Sequence, residues 1–222
     1  MRILIADDHA VVRQGLIKIL ADQFGPAIFG EAEDGRAALD LLTKHSWDAV
    51  ILDISLPDMS GLDVLRELRQ QRLNIPALIL SMHAESQYAV RALRAGAAGY
   101  LTKQSNPEEL VKAVRRVVSG GKYLSPALAE ALAIDLGRTG GNPLHETLSD
   151  REFQVMCMIA SGKSVKEAAE RLSLSPKTVS TYRARILEKL KVKTTAELIL
   201  YAVQNGLVPA LHPGCENAYH AS

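Results

Sequence analysis

The sequence predicts an α/β domain followed by an all-α one: a doubly wound, five-stranded parallel sheet of order 2-1-3-4-5, then a unit of four short helices. Three observations predict it. Through residue 120 the chain alternates short apolar runs with amphipathic stretches. Those runs are near-continuous and lack the polar alternation of half-exposed strands, as expected of parallel strands covered on both faces. From residue 147 onward no strand pattern appears, and apolar residues recur at helical spacing. Repeated βα order with right-handed crossovers selects order 2-1-3-4-5.

In order, residues 2–7, 27–32, 48–53, 76–81 and 99–102 read as strands, and 10–23, 35–45, 61–71, 86–95 and 107–119 as helices. Gly61 and Pro107 stand at helix starts and Gly96 at a helix end. A further helix is expected at 126–136, before the linker composition "GRTGGNP" at 137–143. In the last part Ser149 or Asp150 caps a helix running to about residue 161, and Ser164 caps one running to about 172. Ser175, followed by Pro176 at the first helical position, starts a helix to about 190. Thr194 or Thr195 starts the last, closed by Asn205-Gly206 after residue 204. The expected domains are thus 1–120, a linker 121–146, a helical domain 147–208 and a disordered tail 209–222.

Composition is that of a water-soluble globular chain, 47% hydrophobic and 23% charged. No apolar run approaches the ~20 residues that span a bilayer. The opening "MRILIADDHA" has too short an apolar run for a signal peptide, so a cytoplasmic location is expected, without membrane partners. Cys157 lies among apolar residues and Cys215 in a polar tail, and no disulfide is expected between them. Charge is uneven. Residues 1–120 carry 14 Lys and Arg against 15 Asp and Glu, whereas 147–210 carry 10 against 6. The basic segment is the part suited to a polyanion.

In an open parallel sheet, ligands bind beyond the carboxyl ends of the strands. Strand 1 ends in Asp7-Asp8, strand 3 in Asp53, strand 4 in Ser81, and Lys103 follows strand 5. Singly, each has a plain reading as a helix cap or a solvated turn residue. Together they bring three carboxylates, a hydroxyl and an ammonium to one place. Clustered carboxylates repel one another, and a divalent cation relieves that. All-oxygen ligation points to Mg2+ or Mn2+ rather than zinc. Mg2+ commonly keeps waters and a phosphate oxygen, so a phosphoryl group is the expected substrate. Asp53, on the central strand, is the candidate nucleophile for an acyl phosphate. Lys103 and Ser81 would hold the phosphoryl oxygens.

The "ADDH" acid pair, "ILDISLPDMSG", "LS" at 80–81 and "AGAAGYLTK" ending in Lys103 resemble the receiver domain of bacterial two-component response regulators. The resemblance makes Asp53 the phosphoacceptor. It implies that Asp8, Asp53 and the backbone carbonyl of Ser55 bind Mg2+ directly, with Asp7 acting through water. It makes Ser81 the switch hydroxyl and Tyr100 an aromatic switch that moves inward on phosphorylation. Ser55 and His83, each two residues beyond a site residue, would tune the lifetime of the acyl phosphate. Many receivers have a cis-proline after the lysine. Here Gln104 follows, and a cis bond before a non-proline costs about 2.5–4 kcal/mol.

In "SPKTVSTYRARILEKLKV", Val179, Tyr182, Ile186, Leu187 and Leu190 share one helical face. Lys177, Ser180, Thr181, Ala184, Arg185 and Glu188 fall on the others. Small and hydroxyl side chains between cations suit a DNA groove, and the tight turn Ser173-Leu174-Ser175 makes a helix-turn-helix with the preceding helix. A plain amphipathic bundle with a solvated basic face fits these residues equally well. The four-helix layout from "LSDREF" to "ELILYA" resembles the LuxR-type DNA-binding domain of the NarL/FixJ subfamily. That resemblance puts Ser180, Thr181 and Ala184 toward bases. It makes Lys177, Thr178, Arg185, Lys189 and Lys193 phosphate contacts, and Leu198 and Tyr201 dimer contacts.

The implied protein is a phosphorylation-dependent transcription regulator. Its expected partners are a sensor histidine kinase, double-stranded promoter DNA and a second copy of itself, with RNA polymerase a further candidate. It would be no enzyme beyond its own phosphorylation and dephosphorylation at Asp53. A phosphatase using an aspartyl phosphate would need an acid two residues after the nucleophile, where Ser55 stands. A regulator that works by dimer contacts without phosphate is the other alternative.

Overall fold

The computed structural model describes residues 1–82, 85–126, 128–130, 132 and 143–208. The chain forms two compact units, Met1–Asn142 and Pro143–Ser222. The first unit runs β1 (Arg2–Ala6), α1 (Ala10–Phe24), β2 (Ile28–Ala32), α2 (Gly35–Lys44), β3 (Ala49–Asp53), α3 (Gly61–Gln70), β4 (Ala77–Ser81), α4 (Glu85–Ala95), β5 (Gly99–Thr102) and α5 (Pro107–Val118). All strand pairs are parallel, in the order β2-β1-β3-β4-β5.

Strands β3 and β4 are buried along their whole length, which is why they read as unbroken apolar runs. On one face Ile3, Ile5, Ile51, Leu78 and Leu80 pack with Leu16 and Leu20 of α1 and Leu110, Ala113, Val114 and Val117 of α5. Helices α2, α3 and α4 cover the other face, with Ala38, Leu42, Leu65, Leu68, Tyr88 and Ala92 buried there. Local chemistry starts the helices where expected. Asp34 caps α2 through the Ala37 N–H (2.7 Å), Ser60 and Asp63 form a capping box on α3, and Asn106 with Pro107 opens α5.

Beyond β5, Tyr123 pairs with Gly99, its N–H donating to the Ala98 carbonyl at 2.8 Å. The expected helix at 126–136 is described at residues 126, 128–130 and 132, which are helical. The rest of it, the linker as far as residue 142, and the tail expected at 209–222, Cys215 included, lie outside the described residues.

The second unit opens with a short 3-10 turn, Leu144–Thr147, that periodicity did not reveal. It continues with α6 (Asp150–Ala160), α7 (Val165–Arg171), α8 (Pro176–Leu190) and α9 (Thr195–Gln204). Ser149 rather than Asp150 caps α6, and Thr194 rather than Thr195 caps α9. Phe153, Met156, Cys157, Ala168, Leu172, Val179, Ile186, Leu190, Leu198 and Ala202 are buried. The turn from α7 to α8 places Ser173 in the left-handed region (φ 53°), and the Leu174 N–H returns to the Ala169 carbonyl at 2.9 Å.

Candidate functional site

The parallel register aligns the carboxyl ends of β1, β3, β4 and β5, so the residues that follow them meet. Asp7 and Asp53 are 1% and 4% exposed. The Lys103 ammonium lies between them, its Nζ 2.6 Å from Asp7 Oδ2 and 2.8 Å from Asp53 Oδ2. The Ser55 N–H donates to Asp53 Oδ1 at 3.2 Å. Burial pushes the Asp53 carboxyl above its ordinary range and the charge of Asp7 adds to this, while Lys103 and the Ser55 N–H oppose it. Burial works against the charge of Lys103, yet Asp53 and Asp7 outweigh it and hold the ammonium above its ordinary value.

Asp8 is more open, and His9 Nδ1 lies 2.7 Å from its Oδ1. The His9 N–H donates to Asp7 Oδ1 at 2.9 Å, which turns the Asp7 carboxylate toward the start of α1. Arg13 fixes the same turn from the helix side. It donates through Nη1 to the Asp7 carbonyl at 2.7 Å, and its Nε meets Glu31 Oε2 on β2 at 2.9 Å. Gly61 sets the other wall. A Cβ there would lie 2.2 Å from the Asp53 carbonyl oxygen, so α3 can start this close to the acceptor strand only with glycine.

Ser81 and Tyr100 are both fully buried, and their hydroxyls share a hydrogen bond. Burial raises the Tyr100 phenol well above its ordinary range, and the charges of Glu85 and Asp53 push the same way. The resemblance implies that Tyr100 turns inward on phosphorylation. In the structure Tyr100 lies inside, against the Ser81 hydroxyl. Among the described residues no peptide bond is cis, so the Lys103–Gln104 bond is trans. Ser55 is half-buried. His83 lies outside the described residues.

The donor set suits a hard divalent cation. Asp7, Asp8 and His9 present donor atoms within 4.8 Å of one another. One ammonium, Lys103, offsets two buried carboxylates, and Asp8 adds a third acid at the rim. That leaves negative charge for a cation to neutralise, and the carboxylate and carbonyl oxygens of Asp8, Asp53 and Ser55 are the ligand types Mg2+ and Mn2+ take.

Three roles had no signal in the sequence. His9 orders the Asp7-Asp8 turn from beside it, and Arg13 does so while reaching Glu31 on β2. Asp58 caps α2 from a distance. Its carboxylate accepts from the N–H groups of Gly35 (2.8 Å) and Arg36 (3.0 Å), more than twenty residues away.

In the second unit α8 presents Lys177, Ser180, Thr181, Ala184 and Arg185 to solvent on one side, with Lys193 exposed just beyond it. Thr178 is half-buried and belongs to the helix cap, its N–H donating to Ser175 Oγ at 3.0 Å. The Thr181 hydroxyl donates to the Lys177 carbonyl at 3.0 Å, leaving its oxygen to accept. Lys189 is exposed, and its Nζ lies 2.6 Å from Glu152 Oε2, a buried carboxylate of α6. Leu198 is 0% exposed and belongs to the core, and Tyr201 is half-buried, its hydroxyl accepting from the His145 N–H at 3.2 Å. The large apolar side chain that α9 exposes is Leu200, at 56%.

Comparison with known proteins agrees with this geometry. Residues 3–115 match the sequence family described as the response regulator receiver domain, and residues 146–202 match the one described as bacterial regulatory proteins, luxR family. The chain is 38% identical to the response regulator GacA of Pseudomonas aeruginosa over 212 residues, covering 95% of this chain and 99% of that protein. It is 36% identical to the response regulator UvrY of Escherichia coli over 211 residues, covering 95% and 97%. A solved structure of RcsB from Salmonella enterica serovar Typhimurium, bound to promoter rprA in the presence of phosphomimetic BeF3-, superposes with a TM-score of 0.59 at 28% identity, covering 90% of this chain and 97% of that one.

Proposed function

The chain belongs to the response regulators that join a receiver domain to a LuxR-family DNA-binding domain, and from that premise we propose that Asp53 accepts a phosphoryl group from a sensor histidine kinase and thereby controls promoter binding by a dimer. The observation that carries the reading is the Lys103 ammonium shared between Asp7 and Asp53 at the strand ends.

In the transfer, an Asp53 carboxylate oxygen attacks phosphorus and a new O–P bond forms. The P–N bond to the kinase histidine breaks, and its electron pair returns to the imidazole. Lys103 can leave Asp53 to follow the phosphoryl oxygens while keeping Asp7, and the Ser81 hydroxyl donates to one of them. When bound by Asp8, Asp53 and the Ser55 carbonyl, with Asp7 behind, Mg2+ or Mn2+ supplies the remaining positive charge for the transferring group. The chain's chemistry is confined to forming and hydrolysing its own acyl phosphate, so it is not an enzyme acting on a second substrate.

On DNA, Lys177, Arg185 and Lys193 contact phosphates, and Ser180, Thr181 and Ala184 face base edges in the major groove. Two copies read half-sites about one helical turn apart, or a multiple of it, joined through the exposed face of α9 at Leu200. RNA polymerase is the further partner that promoter binding implies. No helix among the described residues is long and apolar enough to cross a membrane, in keeping with a DNA-binding role.

The test is transfer of label from radioactive acetyl phosphate with Mg2+. Wild type takes up acid-stable, hydroxylamine-sensitive label and Asp53→Asn does not. Equal labelling of Asp53→Asn overturns the assignment.

A further inference from the structure

Residues 121–126 leave α5 and run beside β5, and they are tied down at two points. At the first, Tyr123 pairs with Gly99, the residue before Tyr100. The approach is close, since a Cβ at Gly99 would lie 3.0 Å from both the Tyr123 Cβ and its carbonyl oxygen and would press the two segments apart by a few tenths of an ångström. At the second, the Ser125 hydroxyl donates to Glu85 Oε2 in a short hydrogen bond. Glu85 is the first residue of α4 and follows the switch hydroxyl, Ser81, by four residues. The two ties therefore flank the buried Ser81–Tyr100 pair, one before Tyr100 and one after Ser81.

Ser125 has a second task. Its Oγ accepts from the Leu128 N–H at 3.1 Å, and its carbonyl accepts from the Ala129 N–H at 3.0 Å. It is thus the cap of the helix that begins at Pro126 on the way to the second unit. One hydroxyl joins the first turn of α4 to the first turn of the linker helix. The negative charge of Glu85 also acts on the phenols of Tyr100 and Tyr123.

We propose that Glu85 and Ser125 are a positioning pair that couples the state of the acceptor site to the linker helix: phosphorylation at Asp53 draws Ser81 away from Tyr100, the start of α4 shifts with it, and Glu85 releases Ser125. Losing that partner leaves the cap hydroxyl unanchored, and the first turn of the linker helix frays. This deepens the phosphoacceptor reading and rests on it. Coupling is reciprocal by thermodynamic linkage. If a phosphoryl mimic opens the Glu85–Ser125 contact, then opening the contact by mutation tightens binding of the mimic by the same factor.

The experiment is hydrogen exchange on the full-length protein, with and without beryllofluoride and Mg2+, for wild type, Ser125→Ala, Ser125→Thr and Glu85→Gln. In wild type, beryllofluoride slows the amides around Asp53 and speeds those that follow Pro126, at 127–132. In Ser125→Ala those amides exchange fast from the start and do not respond. Ser125→Thr, which keeps a hydroxyl, restores the response, and Glu85→Gln weakens it. Ser125→Ala also binds beryllofluoride roughly fivefold tighter or more, the lower end of common coupling strengths. A plain helix-cap role would speed 127–132 in Ser125→Ala but leave beryllofluoride affinity unchanged, and that result overturns the coupling. So does a wild type whose Asp53 region responds while 127–132 does not. No response at either place overturns the phosphoacceptor reading itself, and the coupling falls with it.

Discussion

Lys103 reaches across the sheet to Asp53, fifty residues earlier in the chain, and closes on it at 2.8 Å. The same Nζ is 2.6 Å from Asp7. One cation thus makes two buried carboxylates tolerable. Anything that takes a share of Asp53, a metal ion or a phosphoryl group, changes what Lys103 must do.

Lys103→Met leaves Asp7 and Asp53 buried without their cation. Breaking one partner out of a buried ion pair costs about 3–5 kcal/mol. Urea denaturation of the receiver in chelator should show a loss of that order. Mg2+ should recover part of it, by binding the folded state alone. A loss under about 1 kcal/mol would mean the pairing contributes little.

Gly61→Ala should spare expression but damage the acceptor. Its new Cβ would fall 2.2 Å from the Asp53 carbonyl oxygen, so either α3 or the end of β3 must move. The expected outcome is a sharp fall in acetyl-phosphate labelling together with a lower melting temperature. Normal labelling would show that α3 can shift without disturbing Asp53.

Asp58→Ala should remove the remote cap of α2, at about 1–2 kcal/mol for a capping side chain. The pH dependence has a definite sign. Burial alone would raise this carboxyl, but the N–H donors of Gly35, Arg36 and Met59 outweigh it and hold it below its ordinary 3.8. The stability it supplies is fully present above that ordinary value and is lost as pH falls through the lower folded one. The stability gap between wild type and Asp58→Ala should therefore be constant near neutrality and shrink in acid. A gap that widens in acid would contradict the capping geometry.

Arg185→Gln and Lys189→Gln should separate DNA contact from scaffold. Arg185 is exposed on α8, so its loss should weaken binding to all sequences alike and reduce the log-log salt slope by about one. Lys189 holds the buried Glu152 carboxylate at 2.6 Å, so its loss should lower the melting temperature of the second unit. Its effect on the salt slope should be small. Reversed outcomes would return Lys189 to the DNA.

Leu198→Ala and Leu200→Ala should divide in the same way. Truncating the fully buried Leu198 should cost about 2–5 kcal/mol of folding. Leu200→Ala should leave folding intact and weaken paired half-site binding by a factor of about ten, equivalent to about 1.4 kcal/mol. Gel shifts on one and two half-sites measure the difference.

Periodicity was enough to find most elements because the buried strands and amphipathic helices carry their environment in their own composition. The runs at 48–53 and 76–81 are apolar because helices cover both faces, and the sheet order follows from handedness. The 3-10 turn at Leu144–Thr147 is too short to show a period. The neighbours of Lys189 and Leu198 are not legible in the sequence, for a shared reason. A helix has several faces, and spacing alone does not say which neighbour covers which one. Glu152 on α6 claims Lys189, and the core claims Leu198, leaving Leu200 outside.

The sequence by itself determined the two-domain order, the parallel sheet, and the set Asp7, Asp8, Asp53, Ser81 and Lys103. The domains and sheet follow from hydrophobic periodicity and the residue set from where each strand ends, and these are local properties. Tertiary structure alone decided that Lys103 bridges two carboxylates, that Tyr100 lies inside against Ser81, that Asp58 caps a helix more than twenty residues away, and that Ser125 joins Glu85 to the linker. Those are pairings between groups far apart in the chain. A charge or hydroxyl in sequence declares what it can bond, and only the packed fold, by bringing some partners within about 3 Å and burying others, selects which bond it makes.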